Sequence, residues 1–449
     1  MKSWTFRCIS AITVFAILPL SSRLVAQVES NTQPGDQIHY VVMNLGTLGG
    51  SASNGYGGTN DRGWVTGDAN LAGDQNEHAF LWRGRVMSDL GTLGGPNSSV
   101  PTPIKNDRGL VAGGAQIDEV DPLGEFWGAA YVCTNVNCRG WQNLQRGFLW
   151  QNGVMTALPT LGGNNNEAFG VNNLGQVVGM AETATQDPSC VPPQVLDFEA
   201  VIWGPKPGYI DRLPVFPGDA VAAALAINDK GQVVGISGAC VVPTSYAGGV
   251  HAVLWQHGSV IDLGGLGGVM NNAATAINNA GQVVGSSDLP GDTATHAFFW
   301  QHGVMTDIGT LPGDVFSLAN DINSKGQAVG VSCDVNFNCR AFLWENGVMT
   351  DLNTLLAPGS SLYLTYGGGI NDFGEIAGTA FDQNTGDSPA FLAARCDDAH
   401  ADSEGRDDRA TGTPAAAQRA SERPRFTLPG RVRQMLHQRR GLRGLGLAR

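Results

Sequence analysis

The chain has 449 residues, of which 62 are Gly and 15% are charged, with a formal net charge of −13. Gly is about twice as frequent as in an average protein and charged residues are scarce, which favours many tight turns between short strands. Residues 401–449 hold 11 Arg and 5 acidic residues, so this tail is net +6 and the other 400 residues are net −19. Such an acidic body argues against nucleic acid as a partner.

The first 26 residues have the three parts of a secretory signal peptide. Lys2 and Arg7 supply positive charge, residues 8–20 are apolar but too few to span a bilayer, and Ala26 is a small residue before the cleavage site. We expect cleavage after Ala26, a spacer at 27–37, and an exported protein without a transmembrane segment. A retained membrane anchor is the alternative interpretation.

Residues 38–396 repeat four short segments in a fixed order. A small-residue segment comes first, and a second segment ends in Gly. The turn between them has the form Asn-x-x-Gly, with its Asn at Asn60, Asn106, Asn172, Asn228, Asn278, Asn323 and Asn371. The third segment ends at Trp82, Trp150, Trp203, Trp255, Trp300 and Trp344, with a degenerate last copy at Ala390-Phe391-Leu392-Ala393. The fourth segment has the form Val-Met-Thr-Asp-Leu, and each segment has the length of a typical strand.

This repeat predicts an all-β fold, a seven-bladed β-propeller with four strands per blade. Successive turn Asn residues lie 45 to 66 positions apart, close to the spacing of propeller blades. The last repeat stops after its third strand, whereas residues 38–45 form a fourth strand without a preceding third. We expect this N-terminal strand to complete the seventh blade and close the ring. An open solenoid is the alternative, and pairing of 38–45 with 390–393 distinguishes the two.

Residue size predicts the position of each segment within a blade. The small-residue strands should lie innermost, where space is limited, and the Phe and Trp side chains should fill the spaces between blades. The Thr-Leu-Gly-Gly segments at 47–50, 92–95 and 160–163 should link each outer strand to the next inner strand.

Seven Cys remain after the signal peptide is removed, and their spacing favours disulfides over zinc sites in an exported chain. Cys133 and Cys138 form one close pair and Cys333 and Cys339 form another. Cys190 and Cys240 would then be the third pair, which leaves Cys396 unpaired. Connectivity remains open.

Residues 397–449 are expected to be a disordered basic tail. Their composition is rich in Ala, Asp, Arg and Ser, which is typical of disorder. Residues 431–440 could instead form a short basic helix against an acidic or membrane surface, although a helix of this length is marginal alone.

The segments His78 to Trp82 and His296 to Trp300, both of the His-Ala-Phe-Leu/Phe-Trp type, occur with Gly-Val-Met-Thr-Asp and Asn-x-x-Gly-Gln-Val-Val-Gly motifs. Together these motifs resemble the bacterial HAF-repeat family of predicted extracellular proteins, over about residues 38–394. The resemblance implies export and repetition but supplies no catalytic residues. The first position of the motif is His in only three repeats, and it is Gly147, Glu199, Arg340 or Pro389 in the others.

Several residue types were considered as ligand or cofactor sites. His78, His251 and His296 are interpreted as polar residues at strand starts rather than metal ligands, and the Trp set as core rather than as a sugar platform. The Asp-rich loops 68–74 and 382–387 lack the spacing and final Glu of a calcium loop. We therefore predict no catalytic, cofactor-binding or metal residues, and no cofactor.

Two long insertions, residues 116–146 and 181–197, interrupt neighbouring repeats at equivalent loops. Loops on a rigid scaffold carry specificity, so a local function is expected there. We predict a secreted or periplasmic monomer that serves as a binding or structural module for a protein or glycan ligand. The alternative is an extracellular hydrolase or lyase acting on a polymer. A channel mouth lined by repeat residues alone would exclude the enzyme, whereas convergence of unique acidic and basic side chains would favour it.

Overall fold

The computed structural model describes residues 39–103, 105–125, 127, 142–240, 249–396 and 426–438. Seven four-stranded antiparallel sheets form a seven-bladed β-propeller, which confirms the predicted fold class. The expected signal peptide at 1–26, the spacer at 27–37 and the predicted Cys133–Cys138 pair lie outside the described residues. In the described part of the chain, no helix is both long and apolar enough to cross a membrane.

Blades 1 to 7 follow one another along the chain. Blade 1 comprises β2 (Gly49–Asn54), β3 (Val65–Leu71), β4 (Glu77–Arg83) and β5 (Val86–Asp89). Blade 2 comprises β6 (Ser98–Ser99), β7 (Val111–Val120), β8 (Asn143–Gln151) and β9 (Val154–Ala157). Blade 3 comprises β10 (Gly162–Val171), β11 (Val177–Gln186), β12 (Leu196–Trp203) and β13 (Ile210–Arg212). Blade 4 comprises β14 (Val221–Ile227), β15 (Val233–Gly238), β16 (Gly249–Gln256) and β17 (Ser259–Asp262). Blade 5 comprises β18 (Asn272–Ile277), β19 (Val283–Asp288), β20 (Thr295–Gln301) and β21 (Val304–Gly309). Blade 6 comprises β22 (Phe316–Ile322), β23 (Ala328–Cys333), β24 (Cys339–Glu345) and β25 (Val348–Asp351). Blade 7 comprises β26 (Leu362–Ile370), β27 (Ile376–Asp382), β28 (Ala390–Cys396) and β1 (His39–Asn44). A short 3-10 helix (Leu352–Leu355) follows blade 6.

The N-terminal strand closes the ring as predicted. β1 is the outermost strand of blade 7 and pairs antiparallel with β28, so that Val42 lies opposite Ala393 and Asn44 opposite Phe391. Tyr40 of β1 is fully buried in the core between blades 6 and 7. This pairing excludes the open solenoid, because both ends of the repeat region are used in one sheet.

The first strands of blades 3 to 7 contact one another in succession and therefore lie innermost, as expected from their small residues. In blade 5 the register of β18 shifts between Ala274 and Ala276, which marks a β-bulge. The shift brings the inner strand close to the Gly that ends the second segment: a Cβ on Gly285 would lie 1.9 Å from the carbonyl oxygen of Ala273. The corresponding Gly of every blade has the same close contact, which explains why the repeat requires Gly there.

Aromatic side chains fill the spaces between blades, which confirms the second packing prediction. Phe148 and Trp150 of blade 2 pack against Ala79 and Leu81 of blade 1. Trp203 and Trp255 are buried in the equivalent interfaces. The Trp set is therefore mainly core. Burial of such large aromatic rings supplies much of the packing energy of a domain.

The two ends of each blade differ in what they carry. The Asn-x-x-Gly turn joins the first and second strands at one end, which we call the turn face. Because the strands are antiparallel, the connection between the second and third strands lies at the opposite end, which we call the loop face. The described parts of both predicted insertions and the disulfides Cys190–Cys240 and Cys333–Cys339 lie on the loop face. These two disulfides confirm two of the three predicted pairs.

Of the tail predicted to be disordered, residues 397–425 and 439–449 lie outside the described residues, and the described part matches the alternative expectation of a short helix at 431–440. Residues 426–438 contain a helix, α1 (Gly430–Gln438). Leu428, Val432 and Leu436 are buried against Phe316 and Phe381 on the loop face, between blades 6 and 7. A nine-residue helix is marginal in isolation, so this apolar packing stabilises it.

Candidate functional site

In six of the seven blades the Asn of the turn joins its blade to the next one, whereas Asn106 Nδ2 donates to the Leu110 carbonyl of its own turn. In blade 5 the Asn278 Oδ1 accepts the backbone N–H groups of Ala280 and Gln282, both at 3.0 Å. Its Nδ2 donates to the Gln282 side chain at 2.7 Å and to the Asn323 carbonyl of the next blade at 2.9 Å. The same link to the next blade starts from Asn60, Asn172, Asn228, Asn323 and Asn371. The most frequent motif of the repeat therefore has a structural role.

The residue after each turn Asn forms a second ring at the mouth of the turn face. The Asp372 N–H donates to Asp61 Oδ1 at 2.8 Å, and the Asp229 N–H donates to Asn279 Oδ1 at 2.9 Å. Burial, and then the negative charge of Asp61, raise the pKa of Asp107 in this ring. The carboxylates of the mouth are thus engaged with neighbouring turns.

Lys105 is the exception to the repeat pattern at this mouth. It occupies the position that holds Ile277 or Ile370 in other blades, and it lines a cavity of about 130 Å³ at the axis. Its Nζ donates to Asp321 Oδ2 at 2.7 Å and to the carbonyl oxygens of Ile322 at 3.1 Å and Ile370 at 3.2 Å. An ammonium group has three N–H donors, so all of them are used by this connection from blade 2 to blades 6 and 7.

The His residues of the repeat bind carboxylates on the adjacent strand. His78 Nδ1 lies 2.9 Å from Asp89, and His296 Nδ1 lies 2.9 Å from Asp307 Oδ2. Substituted pairs at the same positions are Arg340 with Asp351 and Glu199 with Arg212. His251 differs, because it binds Asp219 in the loop before β14. These cross-strand pairs give the first position of the motif a structural use, and the residue there can vary with its partner.

The Asp-rich loops direct their carboxylates to the protein's own backbone and amides. Asp74 Oδ1 accepts the Ser51 N–H at 2.7 Å, and Asp382 Oδ1 accepts the Asn384 N–H at 3.0 Å. Among the described residues, the one cluster with the composition of a metal site is Asp187 with Cys190 and Cys240. The two sulfur atoms of that cluster are joined in a disulfide, so they cannot act as thiolate ligands.

The structure brings the two predicted insertions together into one unit on the loop face. Glu125 Oε1, from the first insertion, accepts the backbone N–H groups of Val195 and Leu196 at 2.8 and 2.7 Å. Trp127 Nε1 donates to Gln194 Oε1 at 3.1 Å, and the Trp127 ring is buried against Phe198. We call the described parts of both insertions, residues 116–125, 127, 142–146 and 181–197, the loop platform.

A buried carboxyl group lies at the centre of the loop platform. Glu182 accepts the Asn165 N–H at 2.7 Å with one oxygen and the Gln194 side chain at 3.0 Å with the other. Gln194 also donates to Glu125 at 3.1 Å. Burial, and then the negative charge of Glu125, raise the pKa of Glu182 to about 8. Glu182 is therefore protonated at neutral pH and holds two long loops together without presenting a charge to solvent.

The raised pKa predicts a stability that depends on pH. The folded state keeps a proton on Glu182 that the unfolded chain releases above its ordinary pKa, so stability falls as pH rises from about 4.5 to 8. Glu182→Gln should remove this contribution, on the order of 5 kcal/mol at most. We expect the thermal midpoint of the variant to rise relative to the native chain between pH 5 and pH 8.

The matched control is Glu119→Gln, an exposed residue of the same insertion. It should follow the pH profile of the native chain. Parallel profiles for the native chain and Glu182→Gln would contradict the assignment of this proton.

No family model matches the chain, and no curated protein matches its sequence. Among solved structures, the chain is similar to an acylaminoacyl peptidase from Pyrococcus horikoshii, with 10% identity over 75% of this chain and 50% of that one and a TM-score of 0.43. A gluconolactonase from Xanthomonas campestris has 9% identity over 81% and 96% of the two chains, with a TM-score of 0.33. A protein of unknown function from Dyadobacter fermentans has 10% identity over 80% and 98%, with a TM-score of 0.38.

The chain spans about half the length of the peptidases that it matches. At these identities and TM-scores, the likeness carries no argument about activity.

Sequence reasoning identified the loop platform as a region but missed its central residues. It also missed the Lys105–Asp321 pair. Lys105 could have been noticed as a departure from the repeat, because it replaces an apolar residue. Glu182 could not, because its position varies between blades and is also acidic in blade 5, at Asp288.

Proposed function

We propose that the protein is an exported propeller that acts as a binding module at the cell envelope or outside the cell, with the loop platform as its ligand surface. The predicted signal peptide at 1–26 and the resemblance to HAF-repeat proteins support export. The two disulfides are consistent with an oxidising compartment.

The observation that carries the proposal is the construction of the loop platform. Val120, Leu123 and Val191 are 65%, 38% and 52% exposed, yet the loops that carry them are held by Glu125, Trp127 and a disulfide. Exposed apolar side chains on a rigid support are typical of interaction surfaces. A preorganised surface of this kind loses little entropy on binding.

The turn face bears on the enzyme alternative, because a unique basic and a unique acidic side chain, Lys105 and Asp321, meet at its mouth. Its mouth is lined mainly by repeat residues that bond to neighbouring turns. The unique basic side chain there, Lys105, uses all three of its N–H donors on protein acceptors. A general acid or base must be able to reach a substrate, and Asp321 is fully buried. A hydrolase or lyase working through this pair is therefore disfavoured.

The proposal is tested by co-sedimentation of the mature protein, from Gln27, with purified peptidoglycan, with lipopolysaccharide vesicles and with extracellular polysaccharide. We expect binding to at least one polymer. The triple variant Val120→Ser, Leu123→Ser and Val191→Ser should weaken that binding at least about tenfold, a loss of about 1.4 kcal/mol.

The matched control is Leu174→Ser with Phe373→Ser, since these residues are similarly exposed but lie on turns of the turn face. This variant should bind as the native protein does. Equal loss in both variants, or no binding to any of the polymers, would contradict the proposal. Release of soluble fragments from a polymer would favour the enzyme instead.

A further inference from the structure

A cavity of about 410 Å³ lies on the loop face, between blade 6 and the segment that leads into α1. Its lining includes Asp314, Asp334, Arg340, Tyr363 and Arg433. Sites for small molecules typically have volumes of about 300–1,000 Å³. We propose that this cavity binds a neutral, hydroxyl-rich ligand, namely a short saccharide, and that the C-terminal segment completes the site.

The charges of the lining favour a neutral ligand over an ion. Two carboxylates and two guanidinium groups line the cavity, so neither sign predominates. Arg340 Nη2 lies 2.7 Å from Asp314 Oδ2, and its Nη1 lies 3.1 Å from Asp351 Oδ2, which fixes the guanidinium in position. Fixed donors and acceptors close together suit hydroxyl groups, because a hydroxyl both donates and accepts.

One group of the lining has a donor that the protein does not use. Arg433 Nη1 donates to the Asn336 carbonyl at 3.3 Å, whereas its Nε is buried and has no hydrogen-bond partner. A buried donor without an acceptor costs about 1–3 kcal/mol. A hydroxyl or ring oxygen of a saccharide would accept from this Nε and remove that cost.

Aromatic rings form an apolar wall beside these polar groups. The rings of Tyr363 and Phe426 lie 5.3 Å apart, and Phe426 also stacks on Phe381 at 5.8 Å. Apolar and aromatic surface with a few placed polar groups is the usual composition of a ligand pocket. A saccharide presents both kinds of surface, since its C–H groups are apolar and its hydroxyl groups are polar.

The tail supplies one side of the cavity through Phe426, Thr427 and Arg433. The Leu428 N–H donates to Asn338 Oδ1 of blade 6 at 3.0 Å, which holds this segment in place. A ligand that contacts both sides should therefore stabilise the docked tail by linkage. The inference does not depend on the loop platform, which belongs to blades 2 and 3.

The experiment uses calorimetric titration of the mature protein with cellotriose, maltotriose and diacetylchitobiose, up to about 10 mM, which reaches the weak-affinity range. Sodium phosphate is the anion probe. At least one saccharide should bind and should slow hydrogen exchange at residues 426–438. Arg433→Leu should weaken that binding at least about tenfold.

The matched control is Arg431→Leu, on the same helix, because Arg431 donates to the Gly386 carbonyl outside the cavity. It should change the affinity less than about twofold. If Arg433→Leu itself releases the tail, a chain ending at Cys396 supplies the second test, and binding must be lost in it too. Retained binding in that chain, no binding of any saccharide, or tighter binding of phosphate than of every saccharide would overturn the proposal.

Discussion

Lys105→Met is expected to lower the free energy of unfolding by about 3–5 kcal/mol at pH 7, the usual cost of removing one partner of a buried ion pair. Asp321 has no solvent-exposed surface, and Lys105 Nζ lies 2.7 Å from its Oδ2. The remaining partners of Asp321 are the backbone N–H groups of Ile322 at 2.8 Å and Ile370 at 2.9 Å. Without the ammonium group, the carboxylate must either stay charged in the core or take up a proton.

The pH dependence separates these effects from a simple packing loss. Burial raises the pKa of Asp321 even beside Lys105, and the variant should raise it further. A group with a raised folded-state pKa loses its stabilising contribution as pH rises, so the deficit should be smaller at pH 4 than at pH 8. Urea unfolding at the two pH values measures this deficit in the free energy of unfolding.

A second substitution, Asp321→Asn, in the Lys105→Met chain should recover most of the lost stability. A deficit below about 1 kcal/mol in the single variant would contradict the account.

The architecture could be predicted because it depends on short sequence patterns that recur. The Asn-x-x-Gly turns mark the blades, and the unpaired fourth strand at 38–45 indicates ring closure. The pair Cys333–Cys339 could be predicted from its close spacing and Cys190–Cys240 as the remaining pair, and both are present. Each of these signals is local, or is repeated often enough to be compared between copies.

The features that occur once in the chain, and not in every blade, could not be predicted in the same way. Lys105 and Asp321 are separated by 216 residues, so their contact depends on ring closure. Glu125 and Glu182 lie in different insertions and meet because those loops pack together. The helix α1 depends on tertiary packing of Leu428 and its neighbours, which local helix propensity does not reveal.

The N-terminal strand β1 closes the seven blades into a ring. Removing β1 should have a large effect, because the buried Tyr40 side chain would be missing from the core and β28 would become a free sheet edge. Loss of a buried aromatic side chain alone costs about 3–5 kcal/mol. Each kcal/mol shifts the midpoint by about 2–4 °C in domains of 150–250 residues.

The measurement is thermal unfolding of chains that start at Gln27, Ile38 and Gly46. The first two should unfold together in one cooperative transition, since they differ only in the spacer. The chain from Gly46 should unfold at least about 5 °C lower, or without a cooperative transition. An unchanged midpoint and cooperativity in the chain from Gly46 would mean that the blades do not need β1, and would contradict the closed ring.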